Sequence, residues 1–289
     1  METSISPPPE AVPIRGAAGA PLSAGRAIFS LAVIALGVLT LVVVSLPGAG
    51  GGFGPQARWL PVIPWLPRAH PLLAYLFGTA LVACGVAMLY ACTRRRGAYV
   101  FGALFLLCAL ILDLPQYWHY PASVPARTGL FEPLALAALA ALLPSPAIPS
   151  LLERAARYLL ALCLVVFGVD HFLALAPIAS LVPAWLPAHA FWVVLFGLVF
   201  IAAGVSIASG FLLPWGAGGA GCMFALWVVT LHLPRVLGLY PHVRPHNPDE
   251  WSSLLIAVAL WGGLWALAAA RAPEAGGRAA LRAPAHQSA

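Results

Sequence analysis

Asp170 and His171 stand side by side in FGVDHFLALAPIASLVPAWLP, a stretch from Phe167 to Pro187 that is otherwise almost wholly apolar. A carboxylate beside an imidazole can bind a proton, a metal or a quinone oxygen, or can simply hydrogen-bond a neighbouring helix. Adjacent residues on a helix point about 100° apart, so the two cannot both face one partner squarely. One is expected to face the interior of a bundle and the other a packing seam or the membrane interface. An ionised side chain near the centre of a spanning helix costs about 2.5–3.5 kcal/mol, which makes such a residue a functional candidate by default.

Other polar residues point to the same region. His189, His232 and Trp185 join Asp170 and His171 as candidates for one ligand-binding pocket. Asp113, in LDLP, and His232, in LHLP, are candidates for an ion pair between two halves of the chain, or each sits at its own helix end in contact with interfacial water. His242, His246, Asp249 and Glu250 lie close together in sequence, but HVRPHNPDE contains two prolines and cannot form a regular helix with two histidines on one face. Its spacing matches no zinc signature, so no metal site is expected.

The elements that must position these residues follow from composition. The chain has 289 residues, of which 62% are hydrophobic and 8% charged, and its mean hydropathy is +0.92. A soluble domain has about a quarter of its residues charged, so a soluble globule is excluded. A spanning helix needs about 20 mainly apolar residues. Candidates fall at 27–46, 72–92, 98–114, 130–147, 157–175, 190–208, 216–234 and 251–270. The fold class expected is therefore all-α integral membrane, with eight transmembrane helices. The fourth has the shortest apolar core, and a tilted or partly interfacial segment is an alternative there. The run at 27–46 is longer than a signal-peptide core and is read as a retained helix. Residues 1–26 and 271–289 read as disordered cytoplasmic ends.

All 15 basic residues are arginine, scattered over short connections rather than gathered on one face, which speaks against a nucleic-acid partner. With a cytoplasmic N-terminus, ten arginines fall inside, including the triplet Arg94 to Arg96, and five outside. The positive-inside rule then places both termini in the cytoplasm. Seven of the eight histidines fall on the outer side, together with Asp113, Glu132, Asp170, Asp249 and Glu250. The tryptophans there, Trp59, Trp65, Trp118, Trp185 and Trp251, suit an interfacial belt as well as a pocket. The five cysteines form no CxxC pair and read as packing residues.

The chain also repeats itself. WLPRAHPLLAYLFGTALVACGV from Trp65 answers WLPAHAFWVVLFGLVFIAAGV from Trp185, LDLP answers LHLP, and YPASVP at 120–125 answers YPHVRP at 240–245, at an offset of 119 or 120 residues. A duplicated four-helix unit is expected, over 27–147 and 157–270. An even number of spans per unit makes the two repeats parallel, related by an axis along the membrane normal. Gly78 with Gly85, and Gly197 with Gly204, fall on single helix faces suited to close approach.

The second unit, with FGVDHF, LVPAWLP, FGLVFIAAGV and LHLPRV in order, resembles the DoxX family of small four-helix membrane proteins. The first unit resembles it more weakly, with LPGAGGGFGP at 46–55 where FGxxHF is expected. The resemblance implies quinone-linked membrane redox work, with a soluble or membrane redox partner, a quinone as a possible ligand and no assigned catalytic residue, and the lysine-free, Ala-, Pro- and Gly-rich composition reads as that of a high-GC bacterium, placing the chain in a bacterial inner membrane. The chain carries no haem, flavin or iron–sulfur motif, so electrons would come from that partner. A small-solute transporter, which parallel repeats allow, and a non-catalytic accessory protein are the alternatives. Whether the chain is an enzyme stays open at this point.

Overall fold

The computed structural model describes residues 23–45, 71–144, 150–240 and 248–271. Among them the long helices are α1 (Ala24–Ser45), α2 (Pro71–Leu89), α3 (Arg94–His119), α4 (Val124–Leu142), α5 (Leu151–Leu173), α6 (His189–Ser209), α7 (Leu213–Val236) and α8 (Pro248–Arg271). A short helix, Leu175–Ala179, follows α5. The described residues contain no strand.

Seven of these helices are long and apolar enough to cross a membrane, and α4 is the one that falls short. Its first residues, VPARTGLFEP, include Arg127, Glu132 and two prolines, and only then does the apolar run LALAALAAL begin. That run is nevertheless buried almost throughout, from Leu134 to Leu142. A helix apolar on every side is one that other helices surround. The helix occupies 124–142 rather than the expected 130–147, because Ser123 starts it: its side chain accepts a hydrogen bond from the Ala126 amide, and Pro125 suits the first turn.

Consecutive helices pack as neighbours. α1 lies on α2, α2 on α3 and α3 on α4, and the same order recurs from α5 to α8. α1 also packs along α8, α4 along α5, and α4 meets α8. Small residues set the closest approaches. A Cβ placed on Gly37 would lie 2.7 Å from the Gly78 carbonyl, and one on Gly168 would lie 2.6 Å from the Gly197 carbonyl. Gly85 likewise faces Ser30 and Ile34 of α1, while Gly204 faces Ala161 and Val165 of α5. Both glycines of α2 thus face α1, and both of α6 face α5.

By these contacts LGVLTL at 36–41 stands against α2 as FGVDHF at 167–172 stands against α6. Leu39 and Thr40 therefore occupy the places of Asp170 and His171. The expected counterpart, LPGAGGGFGP at 46–55, lies outside the described residues.

α3 and α7 share a second feature. Each widens into a π turn, at Ala109–Asp113 and Val228–His232, and then continues as α-helix through Pro115 or Pro234. Proline lacks an amide hydrogen and crowds the preceding turn. The wide turn absorbs this, with the Leu114 amide reaching back to Ala109 and the Leu233 amide to Val228. LDLP therefore does not end its helix at the expected 114, whereas α7 ends one turn after His232, as expected. α3 runs on to His119 and α7 to Val236.

Candidate functional site

The last turn of α5 carries Asp170 and His171, and only 4% and 5% of their surfaces are exposed. Both are interior, each turned to a helix-packing seam rather than to the membrane interface. The reason is that α5 ends between α4 on one side and α6 with α7 on the other, so side chains 100° apart each meet a helix.

Asp170 turns to α4. Its Oδ1 accepts a hydrogen bond from Arg127 Nε at 2.6 Å, while Arg127 Nη1 donates to the Pro121 carbonyl at 2.7 Å. Arg127 sits in the first turn of α4, where the Ser123 cap begins the helix. The second Asp170 oxygen, Oδ2, is buried and accepts from no donor among the described residues.

His171 turns to α6 and α7. Its Nδ1 lies 2.7 Å from the Phe167 carbonyl. A carbonyl only accepts, so Nδ1 carries the hydrogen and Nε2 of the neutral ring is an acceptor. That Nε2 is buried, with no partner among the described residues. The ring stacks on Trp227 with centroids 5.4 Å apart and planes 21° from parallel, and lies 5.3 Å from Phe200.

Beside the pair is a cavity of about 490 Å³ at the same end of the bundle. Aromatic side chains make much of its wall, among them Trp185, Trp192, Phe196, Phe200 and Trp227, with Val182, Pro183 and Leu186 contributing from the segment after the short helix. Glu132 and Thr128 reach it from α4, Thr230 from α7 and Ser253 from α8. A mainly apolar cavity with a few polar groups is the ordinary form of a small-molecule site.

Of the residues singled out from sequence, Asp170, His171 and Trp185 line this cavity together. His189 and His232 do not. His189 is half-buried as the first residue of α6. His232 lies on the π turn next to Leu231 and Thr230, which do line the cavity, and its charged neighbours are Glu250 and Arg235. Arg235 holds Glu250 through two bonds, of 2.7 and 2.6 Å, tying α7 to α8. No ion pair joins Asp113 to His232. Asp113 instead lies within electrostatic reach of Glu132, and its Oδ2 is buried without a partner. The two π turns are thus similar in form but face different surroundings.

His70, His242, His246, Trp59 and Trp65 lie outside the described residues. Among the described residues no three His, Cys, Asp or Glu side chains come together as a metal site.

Sequence reasoning missed Arg127 as the partner of Asp170, and it missed Glu132, Trp192 and Trp227 in the cavity wall. A usable signal was present for Arg127: a lone arginine at the start of an apolar helix, in a bundle holding a lone aspartate at the end of another, needs a counter-charge. The far end of the bundle has its own ion pair, in which Arg271 of α8 holds the buried Glu153 of α5.

No protein family, curated protein or solved structure matches the chain.

Proposed function

We propose that the chain is a DoxX-like, multi-pass protein of the bacterial inner membrane that binds a quinone headgroup, or a small aromatic ligand of that kind, in the cavity beside Asp170 and His171. The observation that carries the reading is the cavity itself, about 490 Å³ and mainly apolar, lined by aromatic side chains and by the buried Asp170 and His171, whose ring stacks on Trp227. Asp170, His171 and Trp185 are the ligand-contacting residues of this proposal, with Arg127 holding Asp170 in place.

The architecture we propose for it is eight spans in two parallel four-helix units, with both termini cytoplasmic. The matching close approaches of α1 to α2 and of α5 to α6, and the π turns at the same place in α3 and α7, support the duplication. With Leu39 and Thr40 at the matching places of α1, the proposed site has its ionisable pair only in the second half among the described residues. Electrons for any redox step would come from a partner protein.

Quenching of tryptophan fluorescence by a short-chain quinone tests the reading, with the protein in lipid nanodiscs and empty nanodiscs as reference. Saturable quenching is expected, and it should weaken about tenfold or more in Asp170→Asn and His171→Ala variants that still insert and unfold cooperatively. Wild-type affinity in both folded variants would make the pair structural and remove it from the site.

A further inference from the structure

Arg26 and Arg94 stand in the first turns of α1 and α3, at the end of the bundle away from the cavity. That end is marked by Gly25, packed against Gly262 and Ala266 near the close of α8, and by the Arg271–Glu153 pair. Just inside it α1 and α3 converge, where the rings of Phe29 and Phe101, both fully buried, meet edge to face at 5.6 Å. Arg26 lies one turn before Phe29 and Arg94 two turns before Phe101, so each arginine shares a helix side with its phenylalanine. Both are half-buried and within electrostatic reach of each other. The connection from α2 fixes the second of them: the Thr93 hydroxyl donates to the Ala87 carbonyl at 2.8 Å, and the Arg94 amide to the Tyr90 carbonyl at 2.9 Å.

Two guanidinium groups held in this way repel unless an anion joins them. No described carboxylate does so. Glu153 is the acidic residue at this end among the described residues, and Arg271 holds it. Neither Arg26 nor Arg94 forms an ion pair among the described residues. Their Nε atoms are sealed within the protein, but their Nη groups stay open. The second half of the chain lacks the arrangement. In the register that matches Gly37 with Gly168, and Gly85 with Gly204, Arg157 takes the place of Arg26, while Leu213, Pro214 and Trp215 take those of Arg94 to Arg96. Arg157 lies over the Tyr158 ring at 5.2 Å, as Arg95 lies over Tyr99 at 5.5 Å.

We infer that Arg26 and Arg94 together bind the phosphate of an anionic phospholipid at this end of the bundle. The site is separate from the cavity and goes beyond the ligand proposed there. Guanidinium Nη groups match phosphate oxygens in charge and geometry. A lipid is favoured over a soluble anion because the ends of spanning helices lie at the level of the headgroups, and Leu31 of α1 and Val100 of α3 are exposed for acyl chains to cover. A zwitterionic headgroup brings its own cation to a place that already holds two, so a lipid with net negative charge is preferred.

Native mass spectrometry of the full-length protein in detergent tests the site, with phosphatidylglycerol and phosphatidylcholine of the same acyl chains supplied in equal amounts. The wild-type protein is expected to retain phosphatidylglycerol at least about tenfold over phosphatidylcholine, a ratio that one charge-assisted hydrogen bond supplies. In Arg26→Gln and in Arg94→Gln the preference should fall to within about twofold, while Arg95→Gln and Arg157→Gln keep it. A large excess of inorganic phosphate should leave the lipid bound. Equal retention of the two lipids by the wild-type protein would overturn the proposal. An equal loss in all four variants would do the same, since the basic end would then attract lipid diffusely and not at this pair. Displacement by inorganic phosphate would make the pair a soluble-anion site and overturn the lipid assignment. Arg94→Gln, in the first turn of its helix, and the wild-type comparison decide the matter even where Arg26→Gln fails to fold.

Discussion

Arg127 and Asp170 are 43 residues apart in the chain and share a hydrogen bond of 2.6 Å between two helices. Asp170 is 4% exposed, so removing Arg127 would leave a carboxylate buried with no counter-charge. Arg127→Ala is expected to destabilise the protein by about 3–5 kcal/mol, whereas the double change Arg127→Met with Asp170→Leu, which removes both charges and keeps the volume, should be close to neutral. Denaturant unfolding of the three proteins in detergent checks this, and a single variant as stable as the double would show the pair to be idle. Asp170 and His171 were legible in sequence because an ionisable pair in an apolar run is conspicuous. Their partners were not, since a hydrogen bond across two helices leaves no local pattern. His189 and His232 show the opposite error: they lie near the site in sequence and at the expected end of the bundle, yet their positions on α6 and on the π turn keep them out of the cavity wall.

Pairing of helices through small residues sets the frame at the next scale. Gly204 faces α5, where an added Cβ would lie 2.7 Å from the Ala161 carbonyl, a backbone atom that cannot move aside alone. Gly219, on α7, has nothing within 4 Å of the same position. Gly204→Leu is expected to cost about 1–3 kcal/mol or more through forced separation of α5 and α6, while Gly219→Leu should be tolerated. The comparison is made by thermal unfolding of both variants in the same detergent, and equal losses would mean that leucine is harmful at either place for reasons other than this contact. Because α5 carries Asp170 and His171, the Gly204 variant should also weaken ligand binding at the cavity. The glycine spacing that predicts these faces was visible in sequence, since seven residues bring a side chain back to nearly the same side of a helix. The π turns were not visible: LDLP and LHLP read as helix ends, and nothing in the local sequence marks the wider turn that carries α3 and α7 past Pro115 and Pro234.

Across the whole molecule, the ring of contacts from α1 to α8 closes when α8 returns to α1, and α4 and α8 meet inside it. Exchanging α1 with α5, α2 with α6, α3 with α7 and α4 with α8 leaves this set of contacts unchanged, the form that a duplicated unit with a twofold axis would have. Parity ties this architecture to the number of spans. Seven helices satisfy the length and apolarity of a span on their own, and α4 does not, because Arg127 and Glu132 occupy its first turns. With Arg127 paired to Asp170 and the run from Leu134 to Leu142 covered by neighbours, α4 gains from burial in the bundle what its composition denies it in lipid. Eight crossings put both termini on one side, and seven put them on opposite sides. Reporter fusions at the two ends should therefore give the same cytoplasmic signal. Cys92, exposed in the connection between α2 and α3 beside Arg94 to Arg96, supplies an internal check and should react with a membrane-impermeant thiol reagent only after the membrane is opened. Cys222 is exposed too, but it lies within α7 and should stay unreactive if that surface is covered by lipid. Opposite signals from the two termini would remove α4 from the set of spans, and the parallel relation of the two halves would fall with it.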